Sequence, residues 1–558
     1  MRERVCSLSP QQRRLWVLHH LFPALPIYNG PYAYHFSGPV RVSALERAVR
    51  AVIAAHESLR TGFPLRDDEP VQLVVDEIDF SLPVHEVGDL ATALREAAGT
   101  TFDLTRPGVF DIRLFHSAHD EWALSVNLHH IITDARSNQV VVEDIAAAYD
   151  KIVAGAEPDL VAPPLYTEHA ERTAARLADG LAERQLDYWA RTLAGVPPQV
   201  KLPTDRARPA EQRFEGSLLD VALDADTVTG LTALAREHRM TPYMVLLGVV
   251  GLLMHGNTGE RDVAIGVPVS HRTDPALDRT IGFFVNFVVL RSRFRPGATV
   301  GEYLDEVRAA CVGAFRHQDV PFDDVVQRLD FQGTLSHSPL AQVVVNYHHE
   351  SPPAPRFGGI ATRRESVPTG YVQTDLEFDL APAPDGSWAG TIAYADALFD
   401  ATTIARLAEG LRALARRVAD APHTRLAELE LRADAEVEAV AAWNATGTPV
   451  PEPLLLHRMF EQRAARQPDA PAVVYRDEEL TYRELDERAD AVAFRLRALG
   501  AGPDRVVGVR VDRSPELVVA LLGVLKSGAA YLPLDTSAPP ARVREILADA
   551  RADLVVQT

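Results

Sequence analysis

Residues 125–137 read SVNLHHIITDARS, an apolar strand-like run that meets a helix-like one across His129 and His130, with Asp134 four residues after the second histidine. Side chains alternate across a strand. Carried through this stretch, the alternation sets Leu124, Val126, Leu128 and His130 on one face and Ser125, Asn127 and His129 on the other. Only one histidine then faces a given cleft. His130 is expected to be that one, because a histidine anchored behind an apolar face is held as a positioned base must be. The doubling itself says little. His19–His20 and His348–His349 also adjoin, and neither is followed by an aspartate at that spacing. The plain alternative is a hydrogen-bonded core histidine.

Outward from this junction, the first half alternates helix and strand. A helix is expected over 9–20, a strand over 31–36 and a helix over 42–56, where Val42, Leu45, Val49, Val52 and Ile53 recur at helical spacing. LRTGF (59–63) is expected to open a strand. A second α/β block follows the proline- and arginine-marked stretch 163–213. In it Thr241-Pro242 starts an apolar helix to about residue 257, and DVAIGVPV (262–269) reads as a buried strand. A helix at 433–442 then leads to WNATGTPVPEP (443–453), a linker composition. A third unit has helices at 455–466 and 481–499, a strand at 472–475, and strand, helix and strand out to 534. The boundaries expected are 1–175, 176–431, a linker at 432–454, and 455–558.

Composition narrows the function. The 558 residues suit about three to four units, and 47% hydrophobic with 24% charged residues is ordinary for a folded globular protein. A net charge of −20 disfavours nucleic acid and anionic membranes as partners. Lys151, Lys201 and Lys526 are the only lysines, and none stands before Ser or Thr in a Gly-Lys context, which excludes a Walker-type phosphate loop. Cys6 and Cys311 are too isolated for a zinc cluster or a disulfide framework. No metal is expected: His116 and His119 flank a turn with no third ligand nearby. The start of the chain lacks the apolar core of a signal peptide, and the longest apolar run, 243–254, is short of the ~18 residues of a membrane span. A cytoplasmic protein is the expectation.

HHIITDA (129–135) resembles the HHxxxDG signature of condensation domains of nonribosomal peptide synthetases. Five further stretches are similar to that family's motifs, in family order: LSPQQRRLWVL (8–18), AHESLRTGF (55–63), IGFFVN (281–286), HQDVPFD (317–323) and LSHSPLAQVVVN (335–346). Ala135 stands where the family usually has glycine. If that position needs a positive φ, alanine costs about 1 kcal/mol. The motif near Tyr166, YTEHAER (166–172), is poorly kept.

The resemblance implies two chloramphenicol-acetyltransferase-like α/β lobes in a V-shaped pseudo-dimer, entered from opposite sides by an upstream donor and a downstream acceptor carrier protein. It implies amide formation between two thioesters carried on 4'-phosphopantetheine arms, with no cofactor bound by the chain itself. His130, His129 and Asp134 are the catalytic candidates, His130 acting either as general base or by aligning the amine. Asp134 completes the signature, either paired with Arg272 as a buried ion pair or merely capping the helix that follows. Asn346 lines the tunnel or bonds a turn. Ser137 caps a helix or donates beside the site. Asn286 and Arg291 are assigned to packing, and His317 and Asp319 to scaffold beside Pro321 and Phe322.

LTYRELDERA (480–489) and LVVALLGVLKSGAAYLPLD (517–535) resemble the first core motifs of adenylation domains. The rest of that family's machinery is expected beyond residue 558, so adenylation by this chain is not expected and the remainder of that domain is an implied partner. His129 argues against heterocyclisation, which the family marks with Asp there. The attached adenylation start argues against epimerisation and against a coenzyme A-dependent acyltransferase. Two alternatives stay open: a condensation domain that also dehydrates its substrate, and a non-catalytic docking domain. The opening motif leans towards an L-configured donor.

Overall fold

In the computed structural model, residues 3–117, 121–331, 334–348, 353–449 and 455–557 are described. His119, His349 and residues 450–454 of the expected linker lie outside them. The chain divides into two units, Met1–Ala442 and Trp443–Thr558.

The first unit starts with helix α1 (Pro10–Leu21). Ser9 sets its start: the hydroxyl accepts the Gln12 N–H at 3.1 Å, Gln12 Oε1 accepts the Ser9 N–H at 3.0 Å, and Pro10 occupies the first turn. Strand β1 (Tyr32–Phe36) leads to α2 (Val42–Ala55), whose Leu45, Val49, Val52 and Ile53 are buried, as their spacing requires. LRTGF departs from expectation. Glu57–Arg60 form a 3-10 turn, and only Thr61–Gly62 pair as strand. Strands β2 (Val84–Val87), β3 (Phe110–Ser117) and β4 (Trp122–Leu128) follow, then helix α3 (Ala135–Val153), which packs beside α2. The sheet runs β1-β4-β3-β2, with Tyr34 opposite Leu124 and Leu124 opposite Leu114. Its apolar face, including Leu114, Leu124 and Leu128, packs on α2 and α3.

The second half of this unit contributes β5 (Gly216–Leu223), α4 (Pro242–Thr258), β6 (Asp262–Ser270), β7 (Val285–Arg293), α5 (Val300–Arg316), β8 (Val343–Tyr347), β9 (Thr362–Ser366), β10 (Leu376–Pro382), β11 (Trp388–Ala395) and α6 (Ala401–Asp420). Residues Met244 to His255 of α4 are all buried, so a helix apolar all round serves as a core helix. Its ends are marked by the Thr241 cap and by Gly259 at φ +70°. Among the described residues no single helix is long and apolar enough to cross a membrane. The sheet order is β7-β6-β8-β10-β11-β5, with β6 parallel to β8 and β8 parallel to β10. β6 lies inside it, which explains its near-continuous apolar run.

The two halves are tied by backbone. β9 leaves the second half to pair antiparallel with β1, Arg364 opposite Tyr34. Residues 281–284 form a second tie: Ser58 Oγ donates to the Ile281 carbonyl (2.6 Å), and the Tyr166 hydroxyl donates to the Phe283 carbonyl (2.7 Å). A Cβ on Gly282 would fall within the Tyr166 ring. Gly282→Ala is therefore expected to destabilise the unit by about 1–3 kcal/mol, read as a lower denaturant midpoint; an unchanged midpoint would show that the ring moves freely.

The second unit holds helix α7 (Tyr482–Ala498), strand β12 (Val506–Arg510), helix α8 (Pro515–Ser527), and strands β13 (Ala530–Pro533) and β14 (Leu554–Gln557), with β12 parallel to both other strands. Lys526, its side chain buried, is held by Asp486 and by Asp490 at 2.7 Å.

Candidate active site

β4 ends at Leu128, so the pleat does not carry through to His130. What aims the histidines is a 3-10 turn, His130–Ile132, pinned by backbone: the His129 N–H donates to the Val109 carbonyl (3.2 Å) and the His130 N–H to the Tyr28 carbonyl (2.7 Å). His129 turns inward, 3% exposed, edge-on to His19, and its Nδ1 accepts the Ile131 N–H (3.1 Å). His130 lines a cavity of about 700 Å³. Its Nδ1 lies 3.3 Å from the Thr133 carbonyl. A carbonyl only accepts, so Nδ1 carries the proton and Nε2 is the ring's acceptor.

Asp134 does both things its position allowed. As N-cap of α3 it accepts the Ser137 N–H at 2.7 Å, and its carboxylate pairs with Arg272 at 3.0 and 3.2 Å. Both side chains are under 10% exposed. The Arg272 guanidinium also donates to the Ser137 hydroxyl (2.6 Å) and the Leu277 and Thr280 carbonyls (2.6 and 2.8 Å), and it lies 4.0 Å from the Phe284 ring centroid. Ser137 Oγ in turn donates to the Gly282 carbonyl (2.9 Å). The pair thus joins the loop after His130 to residues 277–284 of the second half. Ala135 is the first residue of α3, without positive φ, and its side of the helix borders the cavity. The conditional backbone cost of alanine does not arise.

The second half of the unit supplies the facing wall. Asn346, on β8, lines the cavity with Val344, and Glu377 does so from β10. Asn286 also borders it, but its amide is committed to the Gln318 and Val320 carbonyls (2.8 and 2.7 Å). Arg291 pairs with Asp262 (2.6 Å) away from the cavity. His317 stacks on Tyr188 and Asp319 accepts from Gln185 (2.8 Å); neither lines the cavity. His116 stacks on Trp122 and faces Glu86 (2.9 Å). Sequence reasoning missed Arg14, Asp323 and Glu377 in the lining. Arg14 and Asp323 lie 3.7 Å apart although more than 300 residues separate them.

Burial holds His130 below the ordinary histidine value, opposed by the Thr133 carbonyl and Asp134, and holds His129 well below it, reinforced by His19. His255 and His271 are lowered by burial too, and His169 is pushed down to about 4. An unfolded chain takes up protons near 6.5 that these folded histidines refuse. Their contribution to stability is present above about 6.5 and is lost as pH falls towards the folded values. His348, raised by Asp379, and Glu377, raised to about 7 by burial and Asp379, act in the opposite sense and are outnumbered. The denaturant midpoint is expected to fall between pH 7 and 5.5; a flat or rising midpoint would contradict the buried neutral histidines.

Comparison with known proteins gives the same division. The chain is 39% identical over its whole length to CymA of Salinispora arenicola, a probable non-canonical nonribosomal peptide synthetase, and spans 7% of it. It is 36% identical over 99% of its length to chondramide synthase cmdD of Chondromyces crocatus and spans 14% of that protein. The X-domain from teicoplanin biosynthesis superposes on 77% of the chain with a TM-score of 0.71 at 29% identity, covering 98% of that structure. A four-domain nonribosomal peptide synthetase, holo-AB3403, shares the fold over all of the chain at a TM-score of 0.82 and 23% identity, with 44% of that structure covered. An AMP-binding enzyme profile matches residues 460–558. With the condensation-domain profile matching residues 2–440, the chain belongs to the condensation domains of nonribosomal peptide synthetases, followed by AMP-binding sequence.

Proposed function

We propose that the first unit joins a donor acyl or peptidyl thioester to an acceptor aminoacyl thioester, each delivered by a carrier protein on a 4'-phosphopantetheine arm. The observation that carries this reading is His130, presenting an imidazole with Nε2 free to accept, in a cavity shared with Asn346. In the reaction the amine nitrogen attacks the thioester carbonyl, the C–N bond forms, the C–S bond breaks, and the amine's proton ends on the departing thiolate. An α-amine with a pKa of about 7.7–8.0 is already partly neutral near pH 7, so His130 need only accept a proton as the C–N bond forms while the cavity aligns the partners. In this reading the Asn346 amide, which lines the same cavity, donates to the tetrahedral oxyanion. His129, buried and outside the lining, is a positioning residue. The 8–18 motif favours an L-configured donor.

The test mixes the chain with two carriers, the donor loaded with an L- or a D-aminoacyl group, and follows the acceptor carrier by mass spectrometry. Amide on the acceptor, formed faster from the L-donor, is expected. No amide above the chain-free background with either donor would refute the function, and equal rates would refute the donor preference. A second reading, a docking domain, is favoured by the 29% identity to the X-domain, a protein whose structure is also known in complex with OxyB. Carrier binding without turnover would support it.

A further inference from the structure

β10 reads LEFDLAP, with Leu376, Phe378 and Leu380 buried in the core and Glu377 and Asp379 on the opposite face. In the parallel pairing with β8, Val344 stands beside Glu377 and Asn346 beside Asp379. The face that bears Asn346 therefore also carries two carboxylates. Asp379 is spoken for by His348 at 3.1 Å. Glu377 lines the cavity and, among the described residues, makes no hydrogen bond or ion pair.

The other ionisable groups around the cavity are compensated. Arg14 faces Asp323 and lies 4.9 Å from the Phe322 ring centroid, and His348 has Asp379. Glu377 and Asp379 therefore share one neighbouring cation, His348, which Asp379 holds directly, so Glu377 leaves this wall with excess negative charge beside Val344, Tyr243 and Tyr347. The Tyr243 hydroxyl is committed to the Val345 carbonyl (2.8 Å), and its ring stacks on that of Tyr347 at 6.0 Å between centroids, so the two tyrosines offer aromatic surface. An isolated carboxylate taken out of water is unfavourable, and burial raises its affinity for a proton. A cation brought alongside restores the ionised form through a charge-assisted hydrogen bond. An aliphatic stem beneath that cation would cover Val344 and the tyrosine rings, which also attract a cation.

We propose that Glu377 is a specificity-determining residue that selects an aminoacyl substrate whose side chain carries an ammonium or guanidinium group on an aliphatic stem. This rests on the reading of the cavity as the place where aminoacyl groups react.

The test measures equilibrium binding of lysyl- and norleucyl-pantetheine amides to the full chain. Both probes carry the same α-amine, so their ratio reports the side chain alone. The lysyl derivative is expected to bind about 10-fold tighter or more, and Glu377→Gln is expected to bring the ratio near one. In Glu377→Lys the preference should shift to a glutamyl derivative. A ratio near one in the unmutated chain, or one that Glu377→Gln leaves in place, would overturn the inference. A parallel condensation assay, with lysyl or norleucyl groups placed in turn on donor and acceptor carriers, separates the two claims. Turnover without lysyl preference defeats only the role of Glu377, whereas preference in binding without turnover supports that role and defeats only the condensation function.

Discussion

Arg272→Ala is expected to cost the first unit about 3–5 kcal/mol, because it strands the Asp134 carboxylate in the interior. Arg272 donates to Asp134, to Ser137 and to two carbonyls, and stacks on Phe284, so alanine removes the partner of one buried charge and several hydrogen bonds together. The Ser137 and Phe284 N–H groups, at 2.7 and 3.3 Å, remain on Asp134 but bring no full positive charge. Replacing both ends, Asp134→Asn with Arg272→Met, leaves no stranded charge and is expected to cost less than Arg272→Ala alone. That non-additivity is the signature of the pair. Denaturant midpoints of the three proteins check it, and a double variant at least as unstable as the single would show that the charge pairing is not what matters.

His130→Ala is expected to lower the rate of amide formation by about 10²–10⁴, the range typical of a lost general acid–base group. Stability should change little by comparison, since His130 contributes one 3.3 Å hydrogen bond to Thr133 and borders open cavity. His129 gives the opposite pattern. Its buried ring receives the Ile131 N–H and packs against His19 and Phe102, so His129→Ala should destabilise the turn as well as slow the reaction. A smaller loss for His130→Ala, within about threefold, would assign the acceleration to positioning.

Much of the first unit was legible where local chemistry dictates local structure. Ser9-Pro10 and Thr241-Pro242 announce helix starts, and the apolar run of 262–269 becomes an interior strand. The direction of His130 was reached for an incomplete reason. The strand stops two residues earlier, and a turn held by the Tyr28 and Val109 carbonyls completes the aim. Such partners lie far off in sequence and leave no periodic trace. The same holds for β9, which crosses over 300 residues of chain to pair with β1. Asp134 offered two roles at one position, and only the arrival of Arg272 across 138 residues shows that both are filled. Glu377 was invisible for another reason: an acid alternating with apolar residues on a strand reads as a solvent face, and only the packing of the second half makes that face a cavity wall.

The measurement that bears most directly on the central claim is a single-turnover condensation between two loaded carriers, quenched and read as the mass of the acceptor carrier, with the unmutated chain and His130→Ala side by side. The account predicts that the acceptor gains the donor acyl mass with the unmutated chain, and at least about 100-fold more slowly with a folded His130→Ala protein. Equal rates for the two, or no product from either above the chain-free background, would contradict it.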